Sequence, residues 1–133
     1  MFRDSPAFSG YSVDDIDAAK RFYRDALGLE IDEAMGGVGL TFKNGHHVFI
    51  YPKGPDHRPA TYTVLDFPVD DMNAAVDWLT SHGVTMERYE GIDQDERGIS
   101  HPPSPDFGPE IAWFKDPAGN IIAVLRQEPP RDS

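Results

Sequence analysis

The sequence predicts an α+β fold of two βαβββ modules. Three observations carry this: an internal repeat, a helix-period apolar stripe inside each copy, and short apolar runs punctuated by turn residues on either side of it. The repeat is read first, because self-similarity decides the architecture. Residues 13–19 are VDDIDAA and residues 69–75 are VDDMNAA, with five identities in seven positions. Each run is followed at the same distance by an aromatic residue, Phe22 or Trp78, and then by a glycine, Gly28 or Gly83. A second echo sets FKNG at 42–45 beside FKDPAG at 114–119. The modules therefore divide the single domain 1–133 at about 1–56 and 57–133.

Each element has a local reason. The opening strands, about 7–13 and 61–69, are β-branched and aromatic runs that stop at an Asp pair. In the first helix Ile16, Ala19, Tyr23, Ala26 and Leu27 share one face at a period of 3.6. Asp14 or Asp15 can cap it, and Gly28 suits the left-handed position that ends a helix. Met72, Ala75, Val76 and Leu79 repeat the scheme up to Gly83. Extended segments follow, with hairpin turns expected at Asn44-Gly45 and Asp116-Pro117-Ala118-Gly119. Residues 52–60 hold three prolines and read as the linker. Residues 91–109 hold four prolines and no periodicity, a long loop that either covers a site or is a surface excursion.

Composition narrows the function. Twelve Lys+Arg against twenty-three Asp+Glu give a net charge of −11, and the cations form no block, so nucleic acid is not an expected partner. No apolar run approaches the roughly 20 residues of a membrane span, and the N-terminus has no basic-then-apolar leader pattern. A cytoplasmic protein without a membrane partner is the expectation. With no cysteine there is no disulfide framework, thiolate metal site or Cys nucleophile.

The segments SVDDIDAAKRFYRDALGL (12–29), FPVDDMNAAVDWLTSHGV (67–84) and IAWFKDPAGNIIAV (111–124) together resemble the vicinal oxygen chelate superfamily, which includes glyoxalase I, extradiol dioxygenases and bleomycin-resistance proteins. The resemblance runs from about Phe8 to Gln127. It implies two modules whose mixed sheets form a cup with the helices outside, and pairing into a homodimer, since some relatives build each cup from modules of two chains. In metal-dependent members four side chains of the cup hold a divalent ion. The family pattern sets two of them five residues before the valine that leads into each helix, and two more four residues past each hairpin glycine. In this sequence those positions are Phe8, Val64, Phe49 and Ala123. None offers a donor atom to a divalent metal, and shifting the register by one residue in either direction supplies none that would restore the site. No metal and no cofactor are expected.

Strand alternation from these positions adds neighbours on the same face. Gly10 and Ser12 join Phe8, His47 and Tyr51 join Phe49, Tyr62 and Asp66 join Val64, and Trp113 approaches Ala123 from the preceding strand. The expected ligand-binding set is Phe8, Ser12, His47, Phe49, Tyr51, Tyr62, Val64, Asp66, Trp113 and Ala123. It is apolar and aromatic with a few polar points, the usual make-up of a small-molecule site. His47 and Asp66 are candidate general bases, although a rim histidine and a strand-end aspartate explain them as well. A histidine metal site has little support: His46 and His47 would point to opposite faces, His82 suits a helix end, and His57 and His101 lie in proline-rich loops. The leading expectation is a metal-free protein that binds an aromatic or cationic small molecule. Its rivals are a metal-independent lyase or isomerase acting on a small carbonyl compound, and an accessory protein whose sheets serve dimerisation.

Overall fold

The computed structural model describes residues 1–127. Its chain divides into two compact units, residues 1–59 and the described residues from 60 onward. In the first, β1 (Ser9–Val13) leads into α1 (Ile16–Arg21), and β2 (Ile31–Ala34), β3 (Gly37–Thr41) and β4 (His47–Pro52) follow. The sheet order is β1-β4-β3-β2, with β1 and β4 parallel and the remaining pairs antiparallel. In the second, β5 (Thr63–Val69), α2 (Met72–Ser81), β6 (Ile111–Lys115) and β7 (Ile121–Arg126) give a mixed sheet of order β5-β7-β6. The fold is α+β with two βαβββ-like modules.

The repeated acidic pair does the same job twice. Asp15 accepts from the amides of Asp17 and Ala18, and Asp71 accepts from that of Ala74. Each carboxylate thus satisfies amides that a helix start leaves open. Of the two expected caps for α1, Asp15 is the one used. Gly28 and Gly83 take positive φ, 71° and 83°, and end their helical segments.

The first helix differs from a uniform 3.6-residue period. After Arg21 it widens into a π turn, Phe22–Ala26, where the Leu27 amide bonds to the Phe22 carbonyl. Tyr23 is fully buried, as the 3.6-residue period predicts, and its hydroxyl meets that of Tyr11 at 2.7 Å. That bond satisfies two phenols in a core otherwise made by Val13, Val38, Leu40, Val48 and Ile50.

The second module holds one strand fewer than the β-α-β-β-β pattern predicted. At the offset that aligns Gly28 with Gly83, β2 corresponds to residues 86–89. These run beside β6, with the Glu87 amide bonded to the Trp113 carbonyl at 2.8 Å. They do not form a ladder, because the Gln94 side chain takes the backbone groups a partner strand would use. Its oxygen accepts from the Tyr89 amide, and its nitrogen donates to the carbonyls of Glu87 and Gly98. The core of this unit gathers Leu65, Val76, Leu79, Ile99, Phe114 and Ile122. Among the described residues no helix is long and apolar enough to cross a membrane.

Candidate functional site

Burial separates a core face from a more open one on β1, β3 and β4, whereas on β7 Ile122, Ala123 and Val124 are all buried. In the first unit Tyr11, Val13, Val38, Leu40, Val48 and Ile50 are buried. The opposite face carries Gly10 and Ser12 on β1, His47, Phe49 and Tyr51 on β4, and Gly37, Gly39 and Thr41 on β3. Register places Gly10, Phe49 and Gly39 in one row, with Ser12 beside Tyr51 and Thr41 beside His47. Phe49 and Tyr51 stack with ring centroids 6.1 Å apart. Two glycines flank Phe49 in its row and add no side chain of their own; the Tyr51 ring comes within 3.9 Å of where a Cβ on Gly10 would lie, and Asp32 Cβ within 3.8 Å of one on Gly39.

Four of the five residues expected in this unit thus share one face: Ser12, His47, Phe49 and Tyr51. Phe8 precedes β1 and is largely exposed. The polar points are already engaged: His47 Nδ1 lies 3.0 Å from the Thr41 hydroxyl, and Ser12 Oγ lies 2.7 Å from His57 Nδ1. His57, expected in an open proline-rich loop, is buried instead. A short 3₁₀ turn at Gly54–Asp56 brings its ring back to β1.

In the second unit Asp66, Ala123 and Trp113 form a row across β5, β7 and β6. Val64 stands apart from it, because β5 bulges between Thr63 and Leu65. One extra residue there interrupts the alternation from which Tyr62 was placed. Tyr62 lies before the strand and is exposed. Partial burial raises the Asp66 carboxyl above its ordinary value, although the residue as a whole stays exposed.

Sequence reasoning missed Tyr89, whose ring meets that of Trp113 edge to face at 5.6 Å. Its hydroxyl is shut off from solvent with no partner among the described residues. Burial, and then the charge of Glu87, push the phenol up. The backbone bond between residues 87 and 113 and the Gln94 side chain on the Tyr89 amide hold it there, and no motif announces either.

The four positions at which the family resemblance implies metal ligands in metal-dependent members are Phe8 and Phe49 in the first unit and Val64 and Ala123 in the second. A phenyl ring, an isopropyl group and a methyl group have no lone pair to give, so these residues do not fit a divalent ion. Among the described residues no group of three or more His, Asp or Glu side chains is arranged to hold a metal.

The 91–109 loop is fastened rather than free. The His101 ring reaches Asp95 Oδ2 through Nε2 at 2.7 Å and Glu110 Oε2 through Nδ1 at 2.6 Å. Glu110 also lies 3.6 Å from Arg126. A neutral imidazole has one N–H and cannot donate to both carboxylates, so the geometry calls for the imidazolium. The Asp95 hydrogen bond, with help from Glu110, accordingly raises the His101 pKa. Burial alone would push the Asp95 carboxyl up, but the bonds from His101 and from the Ile99 and Arg97 amides outweigh it and hold it low.

Because the folded His101 pKa is raised, the clasp is fully stabilising below the unfolded value near 6.5 and is lost as pH rises through the higher folded value. The ring is half exposed, so solvent screening limits the gain to about 0.5 kcal/mol. Proton NMR should show His101 titrating above the ordinary histidine midpoint; a midpoint at or below it would contradict the clasp.

A cavity of about 380 Å³ opens elsewhere in the second unit, between α2 and the segments around 84–88 and 96–98. None of the residues expected in the binding set lines it.

Comparison with known proteins follows the same architecture. The family model described as Glyoxalase/Bleomycin resistance protein/Dioxygenase superfamily matches residues 7–124. A search of the curated proteins finds no match. Among solved structures, the chain is similar to TnmS3, an antibiotic binding protein from Streptomyces sp. CB03234, at 21% identity and TM-score 0.65, covering 92% of this chain and 96% of that one. It is similar to the oxidase ChaP-H2 at 22% identity and TM-score 0.66, covering 92% and 94%. A glyoxalase/bleomycin resistance protein from Streptomyces sp. CB03234 aligns at 21% identity and TM-score 0.61, covering 90% and 100%. At these identities the likeness shows the fold alone.

Proposed function

The chain belongs to the glyoxalase/bleomycin resistance protein/dioxygenase superfamily, and from that premise we propose that it is a metal-free small-molecule-binding protein whose ligand is aromatic or cationic. The observation that carries the reading is the open face of the first sheet. There half-buried Phe49 stacks on exposed Tyr51, with Gly10 and Gly39 beside Phe49 in its row, at a position where the family resemblance implies a metal ligand in metal-dependent members. A stacked aromatic pair offers area to a planar ring, and ring-on-ring packing adds about 1 kcal/mol beyond the area it buries. The net charge of −11 favours a cationic guest over an anionic one. That TnmS3 binds an antibiotic shows a use to which the same fold is put. A homodimer, implied by the family resemblance, is part of the same proposal.

The probe is proflavine, a planar cationic dye, followed by its fluorescence anisotropy. Saturable binding is expected, weakened about tenfold by Phe49→Ala. Equal affinity for the parent and the Phe49 variant, or no saturable binding, would sink the reading.

A second reading, a metal-independent lyase or isomerase acting on a small carbonyl compound, draws on one observation. The raised pKa of Asp66 moves its carboxyl toward the range where general acid–base chemistry works. His47, bonded to Thr41, is the other candidate base.

A further inference from the structure

We infer that Asp32 selects the charge of the ligand: the molecule on the open face of the first sheet carries a cationic group on a short arm beside its aromatic ring, and that group sits over Gly39 against the Asp32 carboxylate. Asp32 can act so only if Phe49 receives the ring, as proposed above.

Strand pairing fixes the arrangement. Phe49 on β4 stands opposite Gly39 on β3, and Gly39 stands opposite Asp32 on β2. Opposed residues share a face, so the three form one row. A Cβ on Gly39 would lie 3.8 Å from the Asp32 Cβ, and apart from Asp32 it would meet nothing within 4 Å. The Phe49 ring leans toward the next row, where a Cβ on Gly37 would lie 2.8 Å from its Cζ. Gly39 is therefore a clear floor between a ring and a carboxylate. Phe49 and Asp32 are two strand spacings apart, about 10 Å between their backbones, a gap that an aromatic ring with a two-carbon arm spans.

The charges on this sheet point to a cation. Glu33, the next residue along β2, stands opposite buried Val38 and pairs with Lys20 of α1. Asp32 is turned away from that helix, and among the described residues no cation pairs with it. No Lys or Arg occurs in β1, β2, β3 or β4. On the open face of these four strands Asp32 is the one carboxylate. A cation over Gly39 is attracted both by that carboxylate and by the face of the Phe49 ring, whereas an anion there would meet like charge.

The test is a pair of probes on the whole chain at neutral pH, tryptamine and tryptophol, which share an indole and a two-carbon arm but end in an ammonium and a hydroxyl. Tryptamine should shift the ¹H–¹⁵N NMR signals of the Asp32, Gly39 and Phe49 amides saturably. Tryptophol should bind about fivefold more weakly, the upper end for an ion pair that water still reaches. Asp32→Asn, an exposed change, should bring tryptamine down to the level of tryptophol and leave tryptophol where it was. Asp77→Asn, in the other unit, removes the same charge and should alter neither. Phe49→Ala should weaken both probes. If Phe49→Ala does so while Asp32→Asn leaves tryptamine unchanged, or if Asp77→Asn weakens tryptamine as much as Asp32→Asn does, the role of Asp32 falls and the aromatic site stands. No saturable shift with either probe would remove both.

Discussion

Replacing Gly37 by alanine should destabilise the protein by about 3 kcal/mol, the upper end for overpacking a close-packed interior. Gly37 opens β3 and is buried. A Cβ there would press into the carbonyl oxygen of Ile50 and lie 2.8 Å from Cζ and 3.0 Å from Cε1 of Phe49. The ring could swing away, but the carbonyl belongs to β4, which is paired to β1 on one side and β3 on the other. Relief therefore requires moving the middle of the sheet. Alanine also stiffens the unfolded chain, which alone would stabilise by about 0.4–1 kcal/mol, so a net loss isolates the clash. Gly39→Ala is the control two residues along the same face. Its Cβ would meet nothing nearer than Asp32 Cβ at 3.8 Å, and stability should hold or rise slightly. Urea denaturation of the two variants decides the matter: equal midpoints would mean that the register of β3 on β4, and with it the face that displays Phe49, is wrong.

Asp116→Ala should cost about 3 kcal/mol, from three hydrogen bonds to a buried charged group. The carboxylate is 4% exposed and organises the β6–β7 hairpin from inside the turn. Oδ1 accepts from the amides of Ala118 and Asn120, each at 2.9 Å, and Oδ2 accepts from the Asn120 side chain at 3.0 Å. Alanine leaves those donors without their acceptor next to Gly119, whose φ of 86° the turn requires. Asp116→Asn retains one accepting oxygen and should lose roughly half as much. The same urea measurement serves, and an alanine variant within about 0.5 kcal/mol of the parent would show that the turn stands without its carboxylate.

The elements legible in the sequence are those whose signals are local. The VDD repeat marks two helix starts because an aspartate caps its own helix three residues on, and the DPAG turn likewise carries its own hydrogen bonds. Features decided by distant contacts were not legible. Gln94 substitutes for a strand ladder through three side-chain bonds that span seven residues at most, yet nothing in its neighbourhood marks it. The bulge before Leu65 displaces Val64 and Tyr62 from a pattern that counting treats as uniform. His57 and Ser12 meet across 45 residues, and Tyr89 reaches Trp113 because residue 87 bonds to its backbone and the Gln94 side chain holds the Tyr89 amide. Residue chemistry needed no such help: phenylalanine, valine and alanine at the four reference positions have no metal donor in any arrangement.

A proflavine titration run with and without metal tests ligand binding and metal independence together. One series contains EDTA and the other excess zinc, with native mass spectra taken at saturation. The account predicts the same dye affinity in both series, a dye adduct in both spectra, and no zinc retained at one per chain. Zinc held at that stoichiometry, with dye binding only when zinc is present, would contradict it.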